Sequence, residues 1–321
     1  MALTIYHLAE GRVHQTLWQP GTTVPADAIW LDLFAPTREE EHAVEACLAM
    51  EIPTREEMRE IEISNRLYME QQHLFMTATL LTKFDTAEPE NHATTFILNE
   101  RHLITVRYID PVPFRAFPAT LLKGDEPMHT AHAVFAGLME SIINRAADIL
   151  EAITVRADGI TKEIFPANTK SPVNYQDALA RIGQCGDVAS KARESLTTLW
   201  RLVAYAQQNI KNLSPEVGAQ LTAHGKDITA LNDHAAFISS KVSFLLDATL
   251  GMISIEQNNI IKIFSIAAVV FLPPTLVASI YGMNFEHMPE LGWKLGYPMA
   301  LGLMVVAAVL PVLYFKRKKW L

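Results

Sequence analysis

Two histidines stand three residues apart in His129-Thr-Ala-His132, a zinc-like spacing that puts both imidazoles near one helix face. No third ligand accompanies them, so they read as the start of a helix with two surface histidines. A second set of polar groups lies near the C-terminus, where residues 281–293 read YGMNFEHMPELGW. This stretch offers an amide, Asn284, and two carboxylates, Glu286 and Glu290. All three are oxygen acceptors that can meet a cation or its water. No nucleophile–base set, phosphate loop or metal-ligand cluster appears, which argues against an enzyme and against an organic cofactor. The two cysteines, Cys47 and Cys185, stand alone and fit a reducing compartment.

The segments that hold this polar loop are unusual. Residues 263–280 and 295–315 carry no charge, and a spanning helix needs about 20 apolar residues. A buried hairpin in a soluble core is the competing reading, but two such runs at one end of the chain have nothing left to pack on. Lys262 precedes the first run, and Lys316, Arg317, Lys318 and Lys319 follow the second. The loop between has Glu286, Glu290 and only Lys294. The positive-inside rule then puts both termini in the cytoplasm and the loop outside. The first stretch, MALTIYHLAEGRVHQ, has no secretory pattern, so the first ~260 residues are expected to stay cytoplasmic. A net charge of -8 over 321 residues disfavours nucleic acid as a partner.

Residues 1–120 read as a mixed cytoplasmic domain. IWLDL (29–33), HLFMTATLL (73–81), ATTFIL (93–98) and HLITVRY (102–108) have the β-branched and aromatic content of strands. Pro36 and the acids after it open a helix, and the acidic stretch 53–62 opens another. Asn99-Glu100-Arg101 reads as a hairpin turn, and Pro111-Val112-Pro113 punctuates the end of the region. Residues 121–214 read as antiparallel helices, one from Met128 to Phe165 and one from Tyr175 to Leu213. Ser214, Pro215 and Glu216 are N-cap, first-turn proline and first-turn acid. No proline follows until Pro273, so one helix runs from Pro215 into the first span, roughly 100 Å at 1.5 Å per residue.

Two stripes run along that helix. Ile228, Leu231, Ala235, Ile238, Val242, Leu245, Thr249 and Met252 alternate in steps of three and four, as in a coiled-coil seam or a helix packed on helices. A second stripe has the same steps: Asp247, Gly251, Ser254, Asn258, Ile261, Ser265, Ala268, Leu272, Thr275, Ser279 and Gly282. It is small or polar at most positions and continues to lipid depth. Small residues there serve helix packing, and polar ones face a bundle interior or water. Its join to Asp247 and Asn258 at one end and Asn284 at the other favours a pore. One chain with two spans cannot enclose a conduit, so a ring of identical subunits is implied.

YGMNFEHMPEL, the preceding IIKIFSIAAVVFLPPTLVASIYGMN and the ending YFKRKKWL resemble the CorA family of magnesium and cobalt transporters. The resemblance is close over residues 251–321 and rests upstream on the order of elements. It implies a homopentameric, funnel-shaped channel in the inner membrane: an α+β cytoplasmic domain, a long stalk helix and two C-terminal transmembrane helices. In these terms 215–262 is the stalk part of the pore helix and 263–281 the first span. Residues 282–294 are the extracytoplasmic loop, 295–315 the second span and 316–321 a basic cytoplasmic tail. The zinc-transporting branch more often has a Gly-rich stretch after the Asn, which is missing here, so magnesium is favoured.

The family's Gly-Met-Asn filter falls on Gly282, Met283 and Asn284. The resemblance implies a ring of Asn284 carbonyls at the outer mouth. An amide oxygen can accept hydrogen bonds from magnesium's reluctant water shell, whereas a carboxylate would hold the ion and slow its release. Gly282 is expected to allow the turn that ends the helix, and Tyr281 to anchor that end in the interface. Glu286 and Glu290 are either acidic rings that concentrate cations or solvated loop charges.

The family's pore-facing positions fall on Thr275, Leu272, Ile261 and Asn258. Thr275 and Asn258 would touch hydrated ions. Leu272 and Ile261, where members often have Met, would form dewetting constrictions. Asp247 falls on the stalk aspartate that binds regulatory magnesium with an acid of the neighbouring subunit; Asp85, Glu88 and Glu90 are candidates. A stalk salt bridge is the competing role for Asp247. Lys316, Arg317, Lys318 and Lys319 would form a basic collar. Two other functions compete with magnesium and cobalt influx gated by cytoplasmic magnesium. One is zinc, nickel or cobalt transport on the same scaffold, coupled to protons; the other is a non-conducting membrane-anchored sensor.

Overall fold

The computed structural model describes residues 2–86, 88–124, 128–166, 173–284 and 286–318. The chain divides into two compact units, Met1–Leu246 and Asp247–Leu321.

The first unit is built on a seven-stranded sheet. Its strands are β1 (Ala2–Ala9), β2 (Arg12–Leu17), β3 (Ala28–Phe34), β4 (Leu67–Glu70), β5 (His73–Thr82), β6 (Glu90–Leu98) and β7 (Leu103–Arg107). The spatial order is β2-β1-β3-β7-β6-β5-β4, and the β3–β7 pair is parallel. β3, β5 and β6 contain three of the expected runs, and β7 is the fourth, 102–108, less one residue at each end. The β6–β7 turn is held by Asn99, whose Oδ1 accepts the N–H groups of Arg101 at 2.8 Å and His102 at 2.6 Å. The β1–β2 hairpin was not among the expected strands. Its two-residue loop is Glu10-Gly11, both at positive φ, 51° and 74°. Asn-Gly or Asp-Gly is the strong signal for that turn, and Glu-Gly is a weak one.

Helix α1 (Arg38–Leu48) starts on a capping box between Thr37 and Glu40. The same Glu40 carboxylate accepts the Leu3 N–H at 3.0 Å and so pins β1 to the helix. The acidic stretch 53–62 does not open a second long helix. Thr54 and Glu57 make reciprocal cap bonds, but only one 3-10 turn (Glu57–Arg59) follows, then the four-residue α2 (Ile63–Arg66). Met58 is its one buried apolar residue, so no apolar stripe exists to propagate the turn. The Pro111-Val112-Pro113 stretch begins a helix, α3 (Val112–Lys123), because proline is tolerated in a first turn.

Helices α4 (Ala131–Ile164) and α5 (Tyr175–Asn209) follow. The second ends four residues before Leu213: Ile210 is extended and Asn212 takes φ 56°. The inner strands of the sheet are buried on both faces, and the edge strands β2 and β4 are not. Leu31, Leu33, Ile104 and Val106 pack with Val44 of α1 and Met58. Trp30 meets Phe117 of α3 at 5.7 Å, and Phe96 meets Phe135 of α4 edge-on at 6.2 Å. Between the parallel strands Asp32 and Arg107 form a buried ion pair at 2.9 Å. Thr105 Oγ1 donates to Asp32 at 2.7 Å, and the guanidinium lies over Phe34 and Phe114. Removing one partner of such a pair costs about 3–5 kcal/mol, because the other charge stays buried.

Helix α6 (Pro215–Tyr281) is continuous over 67 residues. Within the first unit its seam is packing on neighbouring helices of the same chain. Ile228, Ala235, Ile238 and Leu245 are buried. His224 Nε2 lies 3.1 Å from the Ala136 carbonyl of α4, His234 meets Thr154, and Lys241 pairs with Asp158. Gly186 of α5 lets Val242 approach, since a Cβ there would lie 3.2 Å from its Cγ1.

Candidate functional site

The second unit holds the end of α6, a short loop and α7 (Gly296–Arg317). Both helices are long and apolar enough to cross a membrane. In α6 every position of the second stripe, from Asp247 to Gly282, is exposed. A different face, with Ile266, Val270, Pro274, Val277 and Tyr281, is half-buried. The stripe is therefore not used up in packing inside this chain.

The groups on the stripe are oriented by ordinary helix chemistry. Thr275 Oγ1 donates to the Phe271 carbonyl at 2.7 Å, and Ser254 Oγ to that of Leu250 at 3.1 Å. Each hydroxyl spends its proton on the helix and keeps its oxygen lone pairs as acceptors. Pro273 and Pro274 lie inside the helix. They lack the N–H groups that would meet the carbonyls of Val269 and Val270, so one stretch of backbone has acceptors without intrahelical donors. Asn258 and Asp247 are exposed, and neither side chain has a hydrogen bond or ion pair among the described residues. Leu272 and Ile261 are apolar and largely exposed.

The helix does not end through a left-handed glycine. Gly282 N–H still bonds the Ala278 carbonyl at 2.9 Å, and Met283 N–H reaches that of Ile280 at 3.3 Å. Gly282 is not among the positive-φ residues. What it supplies is space: a Cβ there would lie 3.0 Å from the Ala278 oxygen. The last turn tightens against its own carbonyls, and a side chain would crowd them. Met283 and Asn284 follow, both exposed, with Asn284 outside any helix.

Glu286 is exposed and Glu290 half-buried. Glu290 belongs to a 3-10 turn, Pro289–Gly292. Trp293 N–H donates to the Glu290 carbonyl at 3.2 Å, and Gly296 N–H to that of Trp293 at 3.0 Å. Gly296 is a part of this arrangement that sequence reasoning missed. A Cβ at 296 would lie 2.3 Å from the Glu290 oxygen, so only glycine lets the loop fold onto the start of α7. The signal that could have found it is a glycine at a loop-to-helix junction.

At the other end of α7, Lys316 and Arg317 occupy the last turn and suit its negative dipole end. Lys318 N–H closes the helix on the Tyr314 carbonyl at 3.0 Å. Lys319 lies outside the described residues.

Of the candidate partners of Asp247, Glu90 is already engaged. It accepts from Lys83 at 3.0 Å and meets His92 at 2.7 Å, and these bonds hold its carboxyl below the ordinary range. Asp85 and Glu88 make no ion pair among the described residues. His129 is exposed, while His132 is half-buried and its pKa is lowered by burial. Among the described residues no group of three His, Cys, Asp or Glu side chains could hold a metal.

Comparison with known proteins bears on this arrangement. Residues 25–317 match the family described as CorA-like Mg2+ transporter protein. The magnesium transport protein CorA of Mannheimia succiniciproducens is 34% identical over 294 residues, 92% of each chain. That of Sodalis glossinidius is 36% identical over 304 residues, again 92% of each. The complete structure of the CorA magnesium transporter from Methanocaldococcus jannaschii superposes with a TM-score of 0.75 at 15% identity, covering 100% of this chain and 99% of that one. An α+β domain, a long helix and two apolar C-terminal helices, matched along nearly the whole chain, place this protein in the CorA-like Mg2+ transporter family.

Proposed function

We propose that this chain is a membrane protein that carries magnesium, and also cobalt, across the inner membrane as a homopentameric channel. The observation that carries the reading is the exposed face of α6. It runs from Asp247 through Asn258 and Thr275 to Gly282-Met283-Asn284 without being covered by the rest of the chain. Exposed polar groups at lipid depth need water or another polar surface beside them. A ring of identical helices supplies both, with the stripes turned inward.

In that ring the parts divide the work. Asn284 carbonyls at the mouth accept hydrogen bonds from the ion's water shell, which magnesium gives up reluctantly. Glu286 and Glu290 raise the local cation concentration. Thr275 and Asn258 offer oxygen acceptors along the path, and Leu272 and Ile261 form apolar constrictions that close by dewetting. Both termini are cytoplasmic, and Lys316, Arg317, Lys318 and Lys319 form the basic collar. Asp247 holds a regulatory magnesium together with an acid of the neighbouring subunit. Its free carboxylate supports this, and Asp85 and Glu88 are better partners than the already paired Glu90.

The relatives named above are magnesium transport proteins, which disfavours zinc as the main cargo. The deciding experiment is ion flux into liposomes holding the purified protein, with magnesium, cobalt and zinc in turn and with and without a pH gradient. Magnesium and cobalt entry that ignores the gradient is expected. Flux of zinc alone, or only with a gradient, refutes the reading.

A further inference from the structure

Three arginines that play no part in the transport path line one cavity of the first unit. Arg66 ends α2, and Arg193 and Arg201 lie on α5. The cavity, of about 360 Å³, also has Ser190 and Thr197 on its wall. Ser190, Arg193, Thr197 and Arg201 follow one another at steps of three and four, so one face of α5 presents them together. None of the three guanidiniums makes an ion pair among the described residues. The single carboxylate on the wall, Glu194, takes a hydrogen bond from Asn91 at 2.9 Å instead. Three positive charges thus face one negative charge, in a chain whose net charge is -8.

One of the three arginines is anchored in the fold, and Arg193 and Arg201 are exposed beside it. Arg66 is half-buried, and its Nε donates to the Glu60 carbonyl while Nη1 reaches Thr79 Oγ1 at 3.3 Å. Thr198 Oγ1 accepts the Thr79 N–H at 2.9 Å and fastens α5 to β5 beneath it. Burial lowers the Arg66 pKa; Glu194 opposes that and Arg201 adds to it. A half-buried cation beside another cation is stabilised by any anion that enters. Apart from Thr77 the remaining wall is apolar, with Ile61 88% and Ile63 52% exposed.

We propose that this cavity binds a small polyphosphate anion. Guanidinium forks match phosphate oxygens two at a time. Arg193 and Arg201 are eight residues apart, about 12 Å along the helix, which suits two or more linked phosphates rather than one. Ile61 and Ile63 offer a surface to the base of a nucleoside polyphosphate.

The test is calorimetric titration of the full-length protein in detergent, free of divalent metals and at low ionic strength. The probes are adenosine triphosphate, inorganic triphosphate and adenosine. Both anions should bind and adenosine should not. Arg66→Gln and Arg201→Gln should each weaken binding about tenfold or more, the usual scale for a charged hydrogen bond. Glu194→Gln should strengthen it, a gain that misfolding cannot mimic, and Arg12→Gln should change nothing. Tighter binding of adenosine triphosphate than of inorganic triphosphate assigns the apolar wall to the base, and equal affinity assigns inorganic polyphosphate; either result supports the site. Failure of both anions to bind the wild type overturns it, as does binding that ignores the arginine variants. Arginine variants that break the oligomer while the wild type binds neither anion identify the face as a contact with a second copy, and that also overturns the proposal.

Discussion

Gly296 and Glu290 touch through the backbone, at a place where a single added carbon would lie 2.3 Å from the Glu290 oxygen. The contact fixes where the loop carboxylate sits relative to the start of α7. Gly296→Ala must push the loop away, at a cost of about 1–3 kcal/mol typical of overpacking. We expect reduced magnesium uptake in liposomes and a lower thermal midpoint. Gly302→Ala is the control, because a Cβ there meets nothing within 4 Å. Equal behaviour of the two variants would show that the contact does not matter.

Asn284 is exposed at the end of α6 with its amide uncommitted among the described residues. If that amide selects a hydrated ion, Asn284→Ala abolishes uptake while the oligomer keeps its size on a gel-filtration column. Asn284→Asp should retain the ion and slow its passage, because a carboxylate binds it harder. Normal magnesium uptake by assembled Asn284→Ala removes the selectivity role.

Glu286→Gln with Glu290→Gln should lower uptake mainly at low ionic strength. The effect of these charges is long-range attraction, which salt screens within about 10 Å at 0.1 M. The measurement is initial uptake rate across a salt series. An equal loss at every salt concentration points to loop structure instead.

Asp247 has no ion pair among the described residues, which weakens the salt-bridge role. A magnesium ion shared with a neighbouring subunit would offset repulsion between acids and hold the ring closed when internal magnesium is high. Asp247→Asn should therefore raise flux at high internal magnesium and reduce magnesium-dependent protection from protease. Wild type and variant digested across a magnesium series give the answer, and identical protection excludes Asp247 from the sensor.

His102 and His132 both have pKa values lowered from 6.5, by burial first; Arg101 and His73 add to the effect at His102, while Glu100 and the Asn99 backbone oppose it at His132. The unfolded chain then binds more protons than the folded one as acid is added, so stability rises with pH. Their contribution is present above about pH 6.5 and is lost as pH falls below it. The thermal midpoint of the protein should drop on acidification, and His102→Gln with His132→Gln should flatten that drop. An unchanged slope in the double variant would assign the acid sensitivity to other groups.

Much of the C-terminal region was legible because apolar runs and helix periodicity leave strong marks on a sequence. Two uncharged runs, the Asp247-to-Gly282 stripe and the capped start at Ser214-Pro215 all depend on neighbours within a few turns. The strands at 29–33, 73–81, 93–98 and 102–108 were legible for a similar reason, since each is a local run of β-branched and aromatic residues.

Other features needed the tertiary structure, because their causes lie far apart in the chain. The β1–β2 hairpin has a weak turn signal and is stabilised by pairing with β3. The stretch 53–62 has good cap residues and no apolar face, and packing rather than capping decides whether a helix grows. The α6 seam could serve a second chain or its own, and the burial of Ile228, Ala235, Ile238 and Leu245, with the flanking contacts to Ala136, Thr154 and Asp158, assigns its N-terminal part to its own. Gly282 is expected to allow the turn that ends the helix, and the structure shows what it spares there: a Cβ would lie 3.0 Å from the Ala278 oxygen. The same holds for Gly296 against Glu290 and for the three arginines brought together from residues 66, 193 and 201. A sequence records what each residue prefers near its neighbours, whereas steric exclusion and charge proximity depend on distances that exist only once the chain has folded.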